Sequence, residues 1–211
     1  MNRIDWLERK NHGISGTDAA AILGQNPYMT NEKVWEYKVG ISTPPEISEK
    51  PYVKYGNMAE KHLIELFKLD FLEFRVIHKN YDLRVNYDYD FLIGSIDGEL
   101  TEKSTGKKGI LEIKTTNILQ SMHSEKWNNQ IPQNYYIQIL HYLLVTGFEF
   151  AILKAQLKYT NDKTIQLKTI HKRFDIEEVM ADIEYLKEKE IYFWNENVLK
   201  RKKPALILPE I

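Results

Sequence analysis

The chain has 211 residues, of which 43% are hydrophobic and 28% charged, and its formal net charge is -1. This length and composition suit one domain with a sizeable core, and a net charge so close to zero neither demands nor excludes a nucleic-acid partner. Because the sequence contains no cysteine, disulfides, thiolate catalysis, cysteine zinc sites and iron–sulfur clusters are excluded, which favours a reducing cytoplasm. No signal peptide or membrane span is predicted, since no apolar run approaches about 18 residues.

The spacing of apolar residues and the signals at element ends predict an α/β chain. Helices are predicted at residues 2–10, 17–23, 30–39, 57–70, 118–127, 132–146 and 175–198. Strands are predicted at residues 73–79, 81–87, 90–97, 99–102, 109–115, 149–159 and 164–174. This order of helices, strand meander, long helix, two strands and final helix predicts a central mixed β-sheet flanked by α-helices.

Several predicted helices have recognisable ends. C-terminal caps are predicted at Gly24, Gly40 and Gly147. Pro132 suits a first helical turn, and Asp175 with Glu178 suits a capping box.

The stretch "RKNHGISGTDAAAILG", residues 9–24, predicts a glycine-containing turn that runs into a short helix. Free amides at a helix start, the hydroxyls of Ser15 and Thr17, and a cation at Lys10 or Arg9 would form a cradle for an anion such as phosphate. Thr17 could equally be an ordinary helix N-cap.

Glu60 lies in "YGNMAEKHLIELF", residues 55–67, on the same helical face as Leu63, Ile64 and Phe67. A carboxylate that is turned towards the core needs a cation. The alternative is a capping box formed by Asn57 and Glu60 at the start of the helix.

Two strand segments bring further carboxylates together. "FLIGSIDGEL", residues 91–100, places Asp97 where an apolar strand opens into a turn, and the chain returns through "GILEIKTTN", residues 109–117. A strand alternates faces, so Glu112 and Lys114 point the same way, and Asp97 could lie beside Glu112. In the alternative interpretation this is a surface hairpin whose charges are solvated.

Neighbouring carboxylates favour a divalent cation. At about 4 Å two carboxylates repel by about 1 kcal/mol in water and about 4 kcal/mol at an effective dielectric of 20. Oxygen ligands suit Mg²⁺ or Mn²⁺, whereas the absence of cysteine and of any close histidine pair argues against zinc. Lys114 could contact a metal-bound water or the charge that develops on a phosphorus centre. The six histidines are scattered, and no role is assigned to them.

The apolar helix "IPQNYYIQILHYLLVTG", residues 131–147, carries Tyr135, Gln138 and Tyr142 along one side. Gln138 could bind a catalytic water or a scissile phosphate, or it could be solvated. Tyr135 could stack on a base or belong to the core. The basic "LKRKK", residues 199–203, could touch a DNA backbone or simply complement a helix dipole.

Together and in this order, these stretches resemble the YqaJ-type viral recombinase group of phage alkaline exonucleases, the lambda exonuclease family within the PD-(D/E)XK nuclease superfamily. The resemblance begins at "GISGTDAAAILGQNPYMTNEKVWEYKVG", continues through "GNMAE", "GSIDG" and "LEIKTT", and ends at "YYIQILHYLLVTG". It covers about residues 5–155, and the C-terminal strands and long helix at 156–211 match in architecture only. It implies a restriction-endonuclease-like core and a single exonuclease domain over residues 1–211.

The resemblance also implies a role for each site residue. Asp97, Glu112 and the carbonyl of Ile113 would be metal ligands, and Glu60 would help to hold a second Mg²⁺ or Mn²⁺ ion. Lys114 would orient and activate the attacking water.

Around this centre, the resemblance implies that Gln138 supports the site from its helix. Thr17 stands where the family more often has a phosphate-binding serine. Lys10 stands where the family often has an arginine that reads the terminal 5′-phosphate. Lysine lacks the bidentate fork of arginine, so end recognition could be weaker, or Arg9 could take the role.

The implied reaction is metal-assisted hydrolysis of linear double-stranded DNA from its ends, 5′ to 3′, which leaves a 3′ single strand. The resemblance further implies a homotrimeric ring, a single-strand annealing protein as partner, and a phage or prophage origin with action in the bacterial cytoplasm. Two alternatives stay open: an endonuclease or structure-specific nuclease of the same superfamily, and a non-catalytic DNA-end-binding recombination module.

Overall fold

The computed structural model describes residue 6 and residues 9–118, 125–161 and 164–209, and its centre is a mixed five-stranded sheet. The helices are α1 (Gly16–Ile22), α2 (Asn31–Lys38), α3 (Pro51–Asp70), α4 (Gln133–Thr146) and α5 (Ile176–Tyr192), which continues into a π-helix at Phe193–Val198. The strands are β1 (Phe74–Ile77), β2 (Leu83–Val85), β3 (Ile93–Ser95), β4 (Gly98–Glu102), β5 (Lys108–Ile118), β6 (Phe150–Asn161) and β7 (Thr164–Asp175). The prediction of a mixed sheet flanked by helices is confirmed.

The sheet has the order β1-β4-β5-β6-β7, in which only β5 and β6 run parallel. Pairing between β4 and β5 stops at Gly98 and Leu111, whereas β5 continues beside β6 as far as Ile118. One edge of β5 is therefore open beyond Leu111. We call this opening the notch. The strands β2 and β3 form a separate two-stranded sheet, which the strand prediction did not distinguish from the main one.

Alternation along β5 and β6 divides the core into two layers. Ile110, Leu153 and Leu157 face α4 and α5 in one cluster. Leu111 and Ile152 pack against α3 on the other face, together with other residues of that cluster. In the described part of the chain, no helix combines the length and the apolar character that crossing a bilayer would need.

Helix α3 begins at Pro51, six residues before its predicted start. Proline fits the first helical position because its missing N–H would have no intrahelical partner there, and the prediction had taken this proline as part of a loop. Asn57 consequently lies inside the helix, so the capping-box alternative for Glu60 is wrong. Most of the helices predicted at residues 2–10 and 118–127 lies outside the described residues.

The predicted glycine caps are confirmed, since Gly24, Gly40 and Gly147 have φ of +70°, +75° and +65°, where glycine lacks the steric cost of a Cβ. Pro132 is the N-cap of α4 and precedes its first turn. Asp175 is the N-cap of α5, but its side chain makes no cap hydrogen bond. Its two carboxylate oxygens instead share the N–H of Arg173 Nε, each at 3.0 Å, so the predicted capping box does not form.

Candidate active site

Asp97 occupies the notch. It immediately precedes β4, and its Oδ2 accepts a hydrogen bond of 2.7 Å from the backbone N–H of Ile113. That N–H would otherwise lack a partner, because β4 ends before it can pair there. The N–H and C=O of one strand residue point to the same edge, so the Ile113 carbonyl also faces the notch.

Glu112 and Lys114 share the other face of β5, as predicted from the strand period. Glu112 is only 2% exposed, and its Oε1 accepts a hydrogen bond of 2.6 Å from Nζ of Lys114. Its Oε2 is buried without a hydrogen-bond partner. The ammonium of Lys114 lies 5.2 Å from the centre of the Tyr135 ring on α4, in a cation–π contact.

Glu60 reaches the same region from α3. It is half-buried and lies about one turn before Ile64 on the core face of the helix. Burial raises the pKa of Glu60, the nearby His78 opposes that effect, and the charge of Glu112 reinforces it. The carboxylate of Glu60 is therefore within electrostatic reach of Glu112.

Burial and the neighbouring negative charges raise the pKa values of the site carboxyl groups. Burial raises the pKa of Asp97 to about 7, the charge of Glu60 adds to this rise, and Lys114 and the Ile113 amide oppose it. Burial raises the pKa of Glu112 to about 8, with a further rise from Asp97 and opposition from Lys114. Such shifts arise where like charges share a poorly solvated space.

Lys114 responds in the opposite sense. Burial alone would lower the pKa of Lys114, but the charges of Glu112 and Asp97 outweigh burial and raise it. Lys114 is consequently a fixed positive charge at neutral and alkaline pH. It is a hydrogen-bond donor and cannot serve as a base.

Gln138 faces the site from α4 and is itself held in place. Its Nε2 donates a hydrogen bond of 2.7 Å to the phenol oxygen of Tyr142, one turn further along the helix. Burial raises the pKa of Tyr142 well above its usual value, and the charge of Glu112 adds to the rise. The phenol therefore stays neutral and lies close to the Glu112 carboxylate.

The donor set of the site has the chemistry that a magnesium ion requires. The available ligands are all oxygen atoms, from the carboxylates of Asp97, Glu112 and Glu60 and the carbonyl of Ile113. A cation would relieve the repulsion between these carboxylates and would give the unpartnered Oε2 of Glu112 a partner. Within the described ranges, no three His, Asp or Glu side chains already form a cluster that could hold an ion.

At the start of α1 the predicted anion cradle already contains a carboxylate. Ser15 is the N-cap, and both its N–H and its hydroxyl donate to Oδ2 of Asp18, at 2.9 and 2.8 Å. Nζ of Lys38, whose side chain is 5% exposed, binds the same oxygen at 2.9 Å. Burial would raise the pKa of Asp18, but Lys38 outweighs it and lowers that pKa.

The remaining predicted residues surround this cradle. Lys10 lies near Asp18, Lys114 and Glu112, and burial lowers its pKa against the pull of Asp18. Its ammonium is 4.8 Å from the Trp6 ring. Arg9 is exposed.

Thr17 is exposed in the first turn of α1 and is not the N-cap. Tyr135 packs beside Trp127, with ring centroids 5.8 Å apart, and under the Lys114 ammonium. Its placement therefore combines a core contact with a site contact.

Two contributors were missed by reasoning on the sequence. The position of His78 in the sequence predicted no role for it. In the structure its Nδ1 is 2.6 Å from the Asp97 carbonyl oxygen, and because a carbonyl oxygen can only accept, Nδ1 is the donor. Lys38 also binds the Lys10 carbonyl at 3.2 Å. Only the fold brings these side chains to the site, and no local pattern marks them.

Comparison with known proteins gives a family and a fold. Residues 5–149 match the YqaJ-like viral recombinase domain. The chain is 30% identical over 212 residues to the uncharacterized protein YqaJ of Bacillus subtilis (strain 168), in an alignment that covers 98% of this chain and 60% of that protein. It thus spans about 60% of the length of this relative.

Among solved structures, the chain resembles the alkaline exonuclease LHK-Exo from Laribacter hongkongensis, with a TM-score of 0.66 at 15% identity over 94% of this chain and 97% of that one. It also resembles a phage-related exonuclease from Haemophilus somnus 129PT, with a TM-score of 0.57 at 15% identity over 90% and 96% of the two chains. At these identities the likeness shows a common fold.

Proposed function

The chain belongs to the YqaJ-like viral recombinase family, and on that premise we propose that it is a Mg²⁺-dependent exonuclease acting on the ends of linear double-stranded DNA. It digests one strand from 5′ to 3′ and leaves a 3′ single strand for homologous recombination by annealing. The observation that carries this proposal is the electrostatic coupling among Asp97, Glu112 and Glu60, with the Lys114 ammonium bound to Glu112.

The fold supports the same conclusion. LHK-Exo is an alkaline exonuclease, and its complex with dAMP has a TM-score of 0.65 to this chain. A fold hosts many functions, so the proposal depends on the site residues more than on the fold.

The chemistry is hydrolysis of a phosphodiester, in which a water oxygen bonds to phosphorus as the 3′ oxygen departs. Asp97, Glu112, the Ile113 carbonyl and Glu60 would hold one or two Mg²⁺ ions. A bound ion would lower the pKa of a water molecule and offset charge on the phosphate. Lys114, charged at any working pH, donates a hydrogen bond to the attacking water or to the developing negative charge.

Gln138 contributes a positioned amide. Because one N–H of that amide binds Tyr142, its oxygen is available to accept a hydrogen bond from a water, and its second N–H is available to donate to a phosphate. Lys10 and Arg9, with Ser15 and Thr17, would bind the terminal 5′-phosphate near α1. A phosphate that enters the cradle competes with Asp18 for the Ser15 hydroxyl.

Assembly and partners follow from the same proposal. We infer a homotrimeric ring around the DNA and delivery of the 3′ strand to a single-strand annealing protein, in the cytoplasm of a bacterial host. A monomeric mass by light scattering at micromolar concentration would remove the ring from the proposal without affecting the catalytic site.

The decisive assay compares DNA substrates in Mg²⁺. Linear duplexes with 5′-phosphate or 5′-hydroxyl ends, each labelled at one terminus, are incubated beside a circular duplex. We expect loss of linear DNA from the 5′ end, a preference for the phosphorylated end, and an intact circle. Cleavage of the circle would instead indicate an endonuclease of the same superfamily.

The variant Asp97→Asn tests the site itself. Asparagine keeps an oxygen for the Ile113 amide but removes the charge, and we expect activity to disappear. Asp88→Asn, at an exposed position, serves as the matched control and should remain active. Wild-type activity in Asp97→Asn would refute the site, and DNA binding without hydrolysis by the wild type would indicate an end-binding module.

A further inference from the structure

A buried ion pair lies apart from the carboxylates of the site. His141 on α4 and Glu190 on α5 have side chains that are 0% exposed, and Nδ1 of the imidazole is 2.7 Å from Oε1 of the carboxylate. Its other nitrogen, Nε2, is 2.9 Å from the carbonyl oxygen of Ile93 in β3. None of these groups takes part in the chemistry proposed above.

With Glu190 ionised, both partners of the imidazole are hydrogen-bond acceptors. A carbonyl oxygen only accepts, so Nε2 donates to Ile93, and Nδ1 donates to the Glu190 carboxylate. Burial would lower the pKa of His141, but the charge and hydrogen bond of Glu190 outweigh burial and raise it above its usual value of 6.5. The ring therefore holds its second proton more tightly than a free histidine does.

Stability alone does not account for this pair. Two charges taken out of water often stabilise a protein no more than well-packed apolar residues of the same volume. Oε2 of Glu190 is also buried without a hydrogen-bond partner, which adds a desolvation cost. The arrangement is better explained by the geometry that it imposes on the backbone.

The imidazole binds β3 at Ile93, a residue whose backbone connects the start of α1 with the segment that leads to Asp97. The N–H of Ile93 donates to the carbonyl of Ile14 at 3.0 Å, and the N–H of Ile14 donates to the carbonyl of Phe91 at 2.6 Å. Ile14 directly precedes Ser15, the N-cap of α1. In the other direction, the chain reaches Asp97 four residues after Ile93.

His141 itself lies between two polar residues of α4 that face the site. Gln138 is three positions before it and Tyr142 one position after it. The His141 ring therefore connects α4, which carries Gln138, to β3, which leads to Asp97. Because Ile93 also binds Ile14, the same ring is connected to the start of α1.

We propose that His141 is a positioning residue for the nuclease site. Its imidazole, hydrogen-bonded to Glu190 and to the Ile93 carbonyl, sets the spacing between α4 and the β3 segment, so that Gln138 and Asp97 face each other correctly. This inference rests on the proposed function for its kinetic readout, and it also has a structural readout that needs no activity.

The first test replaces the whole pair by apolar residues, in His141→Leu combined with Glu190→Leu. Removing both charges leaves no unpaired buried charge, but the Ile93 carbonyl loses its donor, so the double variant should melt within a few degrees of the wild-type temperature. We expect its kcat on linear DNA to fall by about 10- to 100-fold, as misplacement of site groups does, with KM little changed. A stable double variant with wild-type kcat would overturn the proposal.

Leu143→Ala is the matched control. Leu143 lies on the same helix, is fully buried and packs in the core. This substitution should lower the melting temperature but leave kcat within about threefold at temperatures where the protein is folded, since it leaves the Ile93 bond intact. An equal loss of kcat in Leu143→Ala would show that general loosening explains the effect.

The second test is hydrogen exchange at the Ile113 amide, which reports whether Asp97 still binds it. In the double variant we expect exchange at Ile113 to be about tenfold faster while the Ile139 amide in α4 is unchanged. Unchanged protection at Ile113 would refute positioning, even if the wild type proves to have no nuclease activity. If the double variant fails to fold, His141→Gln, whose amide can still donate to Ile93, decides by the same measurement: it must retain Ile113 protection.

Discussion

The raised pKa values of the site carboxylates predict that the site destabilises the protein at alkaline pH. Asp97 has an ordinary pKa of 3.8 and a folded value of about 7. A carboxyl whose pKa is raised by folding stays protonated in the folded chain while the unfolded chain ionises. Its contribution is therefore intact below about pH 4 and is lost as the pH rises through the folded pKa near 7.

The magnitude follows from these two values. Each pKa unit corresponds to about 1.4 kcal/mol, so ionising Asp97 in the folded protein costs on the order of 4 kcal/mol. Solvent that reaches the partly exposed Asp97 and relaxation of Glu60 reduce this figure. We expect Asp97→Asn to be about 2–4 kcal/mol more stable than the wild type at pH 8.5, and within about 1 kcal/mol of it at pH 4.5.

The assay is urea unfolding followed by tryptophan fluorescence, in chelator, at both pH values. Four tryptophans supply the signal, and the slope with denaturant checks that the same surface is exposed in each variant. Asp88→Asn should show no such gain. If Asp97→Asn gains nothing at pH 8.5 relative to pH 4.5, burial and the charge of Glu60 do not raise the pKa of Asp97, and the electrostatic account of the site is wrong.

Three further predictions address the ion and the groups around it. Magnesium at about 100 times its Kd should stabilise the wild type by about 2.7 kcal/mol in thermal unfolding, and an equal effect in Glu112→Gln would place the ion elsewhere. Lys114→Met should lower kcat by about 10²- to 10³-fold in single-turnover hydrolysis, with DNA affinity little changed; a loss confined to affinity would contradict a role in the reaction. In Gly16→Ala, the new Cβ would lie 2.7 Å from Cγ of Gln138, so activity should fall by about tenfold, whereas Gly56→Ala, 3.4 Å from its nearest neighbour, should retain it.

The same electrostatics explains why this site is costly to the fold. Glu112 is buried beside other carboxylates, and one of its oxygens has no partner. When no cation is bound, this arrangement lowers the free energy of unfolding. A site of this kind lowers the stability of the protein and raises its affinity for a cation and a charged substrate. Mutations that remove a carboxylate should therefore stabilise the protein while they abolish its activity.

Local features of the chain were predictable because they depend on a few neighbouring residues. Gly24, Gly40 and Gly147 end helices as predicted, since glycine tolerates positive φ at a helix end. Glu112 and Lys114 share one face of β5 because side chains alternate along any strand. The start of α3 was placed too late because Pro51 reads equally well as a loop residue and as a first helical residue.

The partners of the charged side chains were decided by tertiary structure alone. Asp97 meets the Ile113 amide only because β4 stops pairing at Gly98, which is a property of the strand register. Lys38 reaches Asp18, and Glu190 reaches His141 across 49 positions of sequence. The amino-acid order sets which residues can form a helix, a strand or a cap, whereas the partner of a buried charge depends on which distant segments pack together, and that is settled by the energy of the whole core.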